Sequence, residues 1–207
     1  MRILGIDEAG RGCVLGDLVI GGFLVEAEGS DGLQAAGADD SKKLSAAKRL
    51  KVRTALTELG VADIRRITPT QIDAGNLNTL EEEVIVDLVR THRPDRVIVD
   101  ALGPPSSLGR VVARLQHAAG VPAEWLMEPK ADANHPPVGA ASIFAKTTRD
   151  ERLDALKEEF GDFGSGYPSD PKTRTWLLEW ARSRRAWPSF VRTRWQTVRD
   201  LAQQALL

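Results

Sequence analysis

The stretch that decides the fold class is Arg2–Gly12, which reads RILGIDEAGRG. Its apolar first half predicts a short strand that runs directly into Asp7 and Glu8. A second apolar run, residues 96–99, ends in the same way at Asp100. A carboxylate at the end of a buried strand is costly unless it has a partner. If these two strands are parallel neighbours, their carboxylates meet at one edge of a sheet, which is where open α/β sheets bind ligands.

Asp132, just before a long helix that starts with small residues, is a further acid of interest. Two carboxylates at about 4 Å repel each other by roughly 4 kcal/mol at an effective dielectric near 20, and divalent cations remove that cost. Oxygen ligands favour Mg²⁺ or Mn²⁺, and a pair of such ions is suited to phosphodiester hydrolysis. Each acid taken singly is better explained as a turn former or a helix cap. The strand-end acids alone therefore indicate only a possible metal site.

The order of elements predicts an α/β fold: a mixed sheet with helices packed on it, followed by a helical C-terminal section. We expect one domain, 1–207, whose C-terminal helical part begins at about residue 161. Glu28–Asp40 is predicted as a loop, and Ser106 or Ser107 as the cap of a helix that ends at Gly120. The predicted strands cover 2–6, 18–25, 61–68, 96–99 and 123–127, and the predicted helices cover 45–59, 78–91, 106–119 and 138–160, with one more from 171 and another after 188.

Composition excludes some classes and leaves others open. The single cysteine, Cys13, rules out an intramolecular disulfide, and no phosphate-binding loop supports nucleotide hydrolysis. No secretory core or long apolar stretch is visible, so we expect a cytoplasmic protein with no membrane segment. The net charge is −1, yet Lys172–Arg199 holds eight basic residues and one acid, Glu179. That block is either a solvated helix face or a source of salt-sensitive affinity for nucleic acid.

Five sequence blocks in a fixed order carry a much more specific signal. The blocks are GIDEAGRG at 5–12, DSKKL at 40–44, KAD at 130–132, AASIFAK at 140–146 with Arg149–Asp150, and GSGYPSDP at 164–171. Together they resemble the ribonuclease HII family, from about residue 2 to residue 175. The form of the block at Lys130–Asp132 is closer to the archaeal and eukaryotic branch than to the usual bacterial one.

The resemblance implies a ribonuclease-H-like mixed five-stranded sheet flanked by helices, plus the helical C-terminal section. It implies that Asp7, Glu8, Asp100 and Asp132 are the catalytic residues and the ligands of Mg²⁺ or Mn²⁺. The implied activity is endonucleolytic cleavage of the RNA strand of RNA/DNA hybrids by two metal ions. It extends to cleavage 5′ to a single ribonucleotide in duplex DNA, leaving a 3′-hydroxyl. The implied partners are these two duplexes, and we expect a monomer.

The resemblance also implies a substrate-binding set. Gly10, Arg11 and Gly12 would lie along the minor groove, with backbone groups on the 2′-hydroxyl that distinguishes RNA from DNA. Tyr167, the only tyrosine, would stack on the sugar beside the cut, although a partly buried packing role is the alternative. The remaining candidates are three lysines, each of which is equally well a solvated side chain or a salt-bridge partner. These candidate phosphate contacts are Lys42, Lys43 and Lys146.

Two residues depart from the family pattern, because Cys13 and Asp17 stand where prolines are usual. We expect a looser loop there, and extra negative charge near the substrate groove. The tail 203–207 lacks the aromatic pair of a sliding-clamp peptide, so no such tail contact is expected. Two alternative functions stay open: a hybrid-binding module without catalysis, and another nuclease of the same superfold. The four acids argue against the first, and the Gly-Arg-Gly motif and the single tyrosine argue against the second.

Overall fold

A computed structural model describes residues 1–38 and 45–206 of the chain, without the side chains of Glu28, Ser30 and Ala46. Five strands form one sheet in the order β3-β2-β1-β4-β5. β1 pairs antiparallel with β2 and parallel with β4, so the sheet is mixed, as the sequence predicted. The strands are β1 (Arg2–Ala9), β2 (Leu18–Glu26), β3 (Val61–Ile67), β4 (Arg96–Asp100) and β5 (Glu124–Glu128).

Helices cover both faces of this sheet and form the C-terminal section. Those before β5 are α1 (Ser30–Ala35), α2 (Ala46–Leu56), α3 (Pro69–Ala74), α4 (Leu77–His92) and α5 (Pro105–Ala119). Those after β5 are α6 (Ala131–Asn134), α7 (Pro136–Phe160), α8 (Pro171–Arg182) and α9 (Gln196–Gln204). In the part of the chain that the structure describes, no helix combines the length and apolar character needed to cross a membrane.

β1 separates two hydrophobic cores because successive strand residues point to opposite faces. Leu4 and Ile6 point to the face covered by α4 and α5. Ile3 points to the other face, which α7 covers with Ala140 and Ile143. The same alternation sends Asp7 toward α7 and Glu8 toward α4, so the two neighbouring acids have different surroundings.

A close approach between β1 and α7 depends on Gly5. A Cβ atom at this position would lie 2.2 Å from the carbonyl carbon of Pro137, a distance that real Cβ contacts do not reach. The missing side chain lets the start of α7 lie directly against the middle of β1. This packing fixes the position of α7 along β1, and therefore which side chains of α7 contact Asp7.

Some local predictions were wrong. α1 occupies part of the predicted loop at 28–40, and α3 follows β3 where no helix was predicted. The signal for α3 is present in the sequence, because Thr68 and Gln71 form a capping box. α5 starts at Pro105 with Pro104 as its cap, and the Ser107 hydroxyl donates to the Pro104 carbonyl at 2.8 Å without capping the helix.

The C-terminal section packs on the loop after β1 through a third core. Val14 and Leu15 of that loop lie among apolar side chains of α8 and of residues 190–201. Leu15 and Val191 also form an isolated antiparallel bridge. Asp170 caps α8 and Pro171 takes its first position, as predicted. The section is therefore attached to the loop that follows the strand-end acids.

Candidate active site

The strand-end acids meet at the carboxyl edge of the sheet, as expected for parallel neighbours. β1 and β4 are paired in register up to Ile6 opposite Val99, so Asp7 and Asp100 lie just beyond the last paired residues, although β1 continues to Ala9 against β2. Asp7, Glu8 and Asp100 line one open cavity of about 270 Å³. Arg11 and Tyr167 line the same cavity, so predicted metal ligands and predicted substrate contacts share one site.

Asp7 is buried, with 5% of its surface exposed, and it lies beside α7. The Ser142 hydroxyl donates to its carboxylate, and the Lys146 ammonium donates to the Ser142 hydroxyl at 2.8 Å. Burial raises the pKa of Asp7 to about 6 and the negative charge of Asp100 adds to the rise, although Ser142 and Lys146 oppose it. Lys146 thus bonds to the hydroxyl that holds Asp7, and it also lines the cavity, so its role as a phosphate contact stays a prediction.

Glu8 points to the opposite face, toward α4. Its pKa rises to about 8, mainly because of burial and then because of the negative charges of Asp7, Glu81 and Asp100. Glu81 is 1% exposed and forms an ion pair with Arg11 Nε at 3.1 Å. Arg11 is also the group that lowers the pKa of Glu8. The Arg11 guanidinium therefore balances the charges of two acids, Glu8 and Glu81.

Asp100 and Asp132 are connected through the start of α6. One Asp100 oxygen accepts a hydrogen bond from the Ala131 backbone N–H at 2.8 Å. Asp132 is the next residue and is 4% exposed. Among the described residues, Asp132 does not line the cavity that holds the other three acids. Asp100 thus fixes the start of the short helix that carries Asp132.

Opposite effects are expected from two substitutions of Asp100. Asp100→Asn keeps an oxygen for the Ala131 N–H and removes a charge that raises the pKa of Asp7 and Glu8, so the metal-free protein should melt at an equal or higher temperature. Asp100→Ala also removes the hydrogen bond, at a cost of about 1.5–3 kcal/mol for a charged acceptor. Thermal melting of both variants in a chelator tests this. A lower melting temperature for Asp100→Asn would show that the charge itself stabilises the fold.

The donor set fits a hard divalent cation. Carboxylate oxygens are the ligands that Mg²⁺ and Mn²⁺ prefer, and burial, followed by the charges of the neighbouring acids, raises the pKa of Asp7 and Glu8. Over residues 1–38 and 45–206, no three His, Cys, Asp or Glu side chains already stand in an arrangement that could hold a metal ion. The fit therefore rests on the chemistry of the acids and on their mutual repulsion.

Tyr167 stands at the other end of the cavity, beside the Gly-Arg-Gly loop. It is 41% exposed, and Gly12 faces its ring at 4.0 Å, measured to the position of an added Cβ. The Arg149 guanidinium carbon lies 5.2 Å from the ring centroid, and Arg149 Nη2 donates to the Ser165 carbonyl at 2.6 Å. Arg149 thus packs against the Tyr167 ring, which also lines the cavity.

The two departures from the family pattern are both buried. Cys13 is fully buried, and its Sγ accepts a hydrogen bond from Arg149 Nη2 at 3.0 Å. The Asp17 carboxylate accepts from Arg152 Nε at 2.9 Å and forms an ion pair with Arg66 at 3.5 Å. The charge of Asp17 is therefore balanced by two arginines, which differs from the expected excess of negative charge near the groove.

Two further expectations concern cations. Lys42 and Lys43 lie outside the described residues. The basic block at 172–199 was expected to be either a solvated helix face or a source of affinity for nucleic acid, and Arg192 fits neither because it is fully buried. Arg182, Arg184 and Arg185 are exposed at the end of α8.

Sequence reasoning missed Glu81, Arg149 and Arg192 as parts of this site. Glu81 precedes Ile85 by four residues on the buried face of α4, and an acid on an apolar helix face was a usable signal. Arg149 follows Ser142 by seven residues on α7, which places both on one face. Arg192 carried no local signal, because its contacts are with residues more than 170 positions away.

Comparison with known proteins decides the family. A family profile described as Ribonuclease HII matches residues 4–198. The chain is 40% identical over 206 residues to the Ribonuclease HII of Aeropyrum pernix, covering 96% of this chain and 89% of that protein. The chain belongs to the ribonuclease HII family. It is accordingly a hydrolase, an endoribonuclease that acts on RNA/DNA hybrids.

Solved ribonuclease HII structures agree with this assignment. The ribonuclease H2 of Pyrococcus horikoshii OT3 superposes with a TM-score of 0.92 at 36% identity, covering 100% of this chain and 99% of that one. A structure of the PCNA:RNase HII complex from Archaeoglobus fulgidus gives 0.87 at 38% identity, covering 96% of each chain. The ribonuclease-H-like fold and the archaeal resemblance predicted from the sequence are confirmed.

Proposed function

We propose that this ribonuclease HII cuts 5′ to a ribonucleotide, including a single one embedded in duplex DNA, and leaves a 3′-hydroxyl. The observation that carries the proposal is the shared cavity, in which Asp7, Glu8 and Asp100 lie at one end and Tyr167 and the Gly-Arg-Gly loop at the other. A site that joins hydrolytic acids to a backbone surface suited to a 2′-hydroxyl can require a ribonucleotide at the cut.

We infer that Asp7, Glu8, Asp100 and Asp132 hold two Mg²⁺ or Mn²⁺ ions. Such ions, when bound, promote attack by water on the phosphorus and stabilise the leaving oxygen. The residues of the chain do the positioning. Ser142 and Lys146 hold the Asp7 carboxylate from the side of α7, and the Ala131 N–H holds Asp100.

Substrate recognition is assigned to the opposite end of the cavity. The half-exposed ring of Tyr167, supported by Arg149, offers a flat surface to the sugar beside the cut. The backbone of Gly10–Gly12 faces the ribonucleotide while the Arg11 side chain stays on Glu81. Exposed arginines of the C-terminal section supply salt-sensitive affinity for the duplex. We propose that residues 1–207 act as one domain in this way.

The test is a nicking assay on a labelled DNA duplex that carries one ribonucleotide, with an all-DNA duplex as control. With Mg²⁺ or Mn²⁺ we expect one nick 5′ to the ribonucleotide, a 3′-hydroxyl end and no cut in the control. A long RNA/DNA hybrid in the same assay reports general ribonuclease H activity. Cleavage of the hybrid but not of the single ribonucleotide would overturn the finer proposal. Tight, salt-sensitive binding without product on any substrate would favour the binding-module alternative.

Association with a sliding clamp is a separate question. The A. fulgidus relative was solved in a complex with PCNA. The tail of this chain, 203–207, has no aromatic residue, so our expectation remains that this tail makes no clamp contact of that aromatic kind. Co-elution of the full chain with a purified archaeal clamp, before and after removal of 203–207, would test that expectation.

A further inference from the structure

The Arg192 side chain, outside the acid cluster, donates several hydrogen bonds to backbone carbonyls. It is fully buried, and its guanidinium donates to three backbone carbonyls of one loop. Nη2 reaches the Gly10 oxygen at 2.8 Å, Nη1 reaches the Arg11 oxygen at 3.0 Å, and Nε reaches the Gly16 oxygen at 3.1 Å. A rigid planar fork is the cationic group best suited to hold several acceptors at once.

The loop that Arg192 holds is the one proposed to face the ribonucleotide. In a trans peptide unit the C=O and the following N–H point to opposite sides. The carbonyls of Gly10 and Arg11 point inward to Arg192, so the N–H groups of Arg11 and Gly12 point outward. Gly10, Arg11 and Gly12 line the cavity that holds the acids, so outward is toward the substrate. Among the hydrogen bonds of the described residues, neither N–H has a protein acceptor.

The backbone at Gly10 needs this support. Its φ of +87° is a conformation that favours glycine, and glycine restricts a loop less than any other residue. Cys13 stands where the family usually has a proline, which removes a further restriction. Within the loop, the Cys13 N–H donates to the Gly10 carbonyl at 3.2 Å, and contacts from outside the loop add to this bond. The Arg192 backbone N–H also bonds to the Val14 carbonyl at 3.0 Å, so both ends of the residue hold the same loop.

Contacts of the neighbouring residues Thr193 and Trp195 hold Arg192 in place. The carboxylate of Asp73 on α3 accepts bonds from the Thr193 N–H and hydroxyl, both at 2.7 Å. The Trp195 ring lies 5.3 Å from the Arg192 guanidinium carbon. Burial lowers the pKa of Arg192 to about 10, so the group stays charged at neutral pH. The C-terminal section thus presents a fixed cation to the loop after β1.

We propose that Arg192 is a positioning residue for ribonucleotide recognition: it orients the Arg11 and Gly12 N–H groups toward the 2′-hydroxyl and the neighbouring phosphate. The inference rests on the proposed function. It gives the C-terminal section a direct part in specificity, beyond any general affinity from its exposed arginines.

The test compares Arg192→Lys with the wild type on a ribonucleotide-containing duplex and an all-DNA duplex. Binding to both duplexes is measured in an Asp7→Asn background, where no cleavage interferes, and kcat/KM is measured in the active protein on the ribonucleotide-containing duplex alone. Lysine keeps the charge but cannot span three carbonyls. We expect the preference for the ribonucleotide duplex to fall at least tenfold, while affinity for all-DNA changes less than twofold. A ratio of two substrates does not depend on the fraction of folded protein, so a merely structural role would leave it unchanged.

Arg90→Lys is the matched control, because Arg90 also donates to backbone carbonyls, those of Ala118 and Ala119, away from the cavity. It should lose some stability and keep the full preference. If Arg192→Lys does not fold, Thr193→Val removes one anchoring bond to Asp73 and should lower the preference two- to threefold. Hydrogen exchange of the peptide covering 8–16 should quicken in both Arg192→Lys and Thr193→Val, and not in Arg90→Lys.

The two proposals fail in different ways. A wild type with no ribonucleotide preference would overturn the proposed function and the recognition role of Arg192 together. A wild-type preference that Arg192→Lys or Thr193→Val retains in full would overturn the inference about Arg192 alone, whatever the exchange rates show.

Discussion

Asp7→Asn is expected to lower the rate of hybrid cleavage by about 10³-fold or more. Loss of ~4 kcal/mol of transition-state stabilisation, the size of effect attributed to metal ions at phosphoryl centres, corresponds to that factor. The substitution is nearly isosteric. The amide oxygen of asparagine can still accept from the Ser142 hydroxyl and from the Glu8 backbone N–H, which lies 2.8 Å from Asp7 Oδ1. The fold should therefore survive while metal binding does not.

Single-turnover cleavage of a labelled hybrid, with saturating Mg²⁺, is the measurement for Asp7→Asn. The control is Asp154→Asn, which removes an exposed acid of α7 that pairs only with Lys157 three residues along the helix. Asp154→Asn should cleave at the wild-type rate. Wild-type cleavage by Asp7→Asn, with circular dichroism confirming a matched fold, would contradict the assignment of the acids.

The second large effect concerns stability without metal. The pKa of Glu8 rises from 4.5 to about 8 and that of Asp7 from 3.8 to about 6. An acid whose pKa is higher in the folded state binds its proton more tightly there, so its stabilising contribution is complete below the unfolded pKa and is lost as pH rises through the folded pKa. One pKa unit corresponds to ~1.4 kcal/mol. We therefore expect the unfolding free energy of the metal-free protein to fall by several kcal/mol between about pH 4.5 and pH 8.5 because these two groups lose their protons.

Mg²⁺ should reverse this loss, and more strongly at high pH, because carboxylate ligands bind metal only when deprotonated. Urea unfolding at a series of pH values, with chelator and with Mg²⁺, measures both effects. The double variant Asp7→Asn, Glu8→Gln isolates them from other titrating groups. Without metal, the unfolding free energy of the double variant should fall less steeply with pH than that of the wild type. Mg²⁺ should also raise the unfolding free energy of the double variant much less. If the unfolding free energy of the wild type and that of the double variant fell equally with pH, the pKa values of the two acids would not be raised in the metal-free fold.

Much of the fold followed from sequence because the relevant forces are local or periodic. The apolar run before Asp7, the similar run before Asp100 and the stop at Gly120 each depend on neighbouring residues only. The bounds predicted for β4 and α5 match the structure closely, whereas β1 continues past its predicted end to Ala9 because it stays paired with β2. Of the three features that the prediction missed, α1 and the cap of α5 have weak local signals, whereas α3 begins with a capping box that the sequence carries. Proline caps α5 where two serines were the stronger candidates.

In the candidate site, too, the residues could be predicted from the sequence, whereas their contacts could not. Sequence alone selected the acids, the Gly-Arg-Gly loop and Tyr167, because the type and order of these residues identify the family. Only the tertiary structure decided which charges face one another. Strand alternation and helix packing send Asp7 to Ser142 and Glu8 to Glu81, and Arg192 crosses from the C-terminal section to the carbonyls of Gly10 and Arg11. Such contacts depend on distances between elements far apart in the chain, which no local pattern of residues encodes.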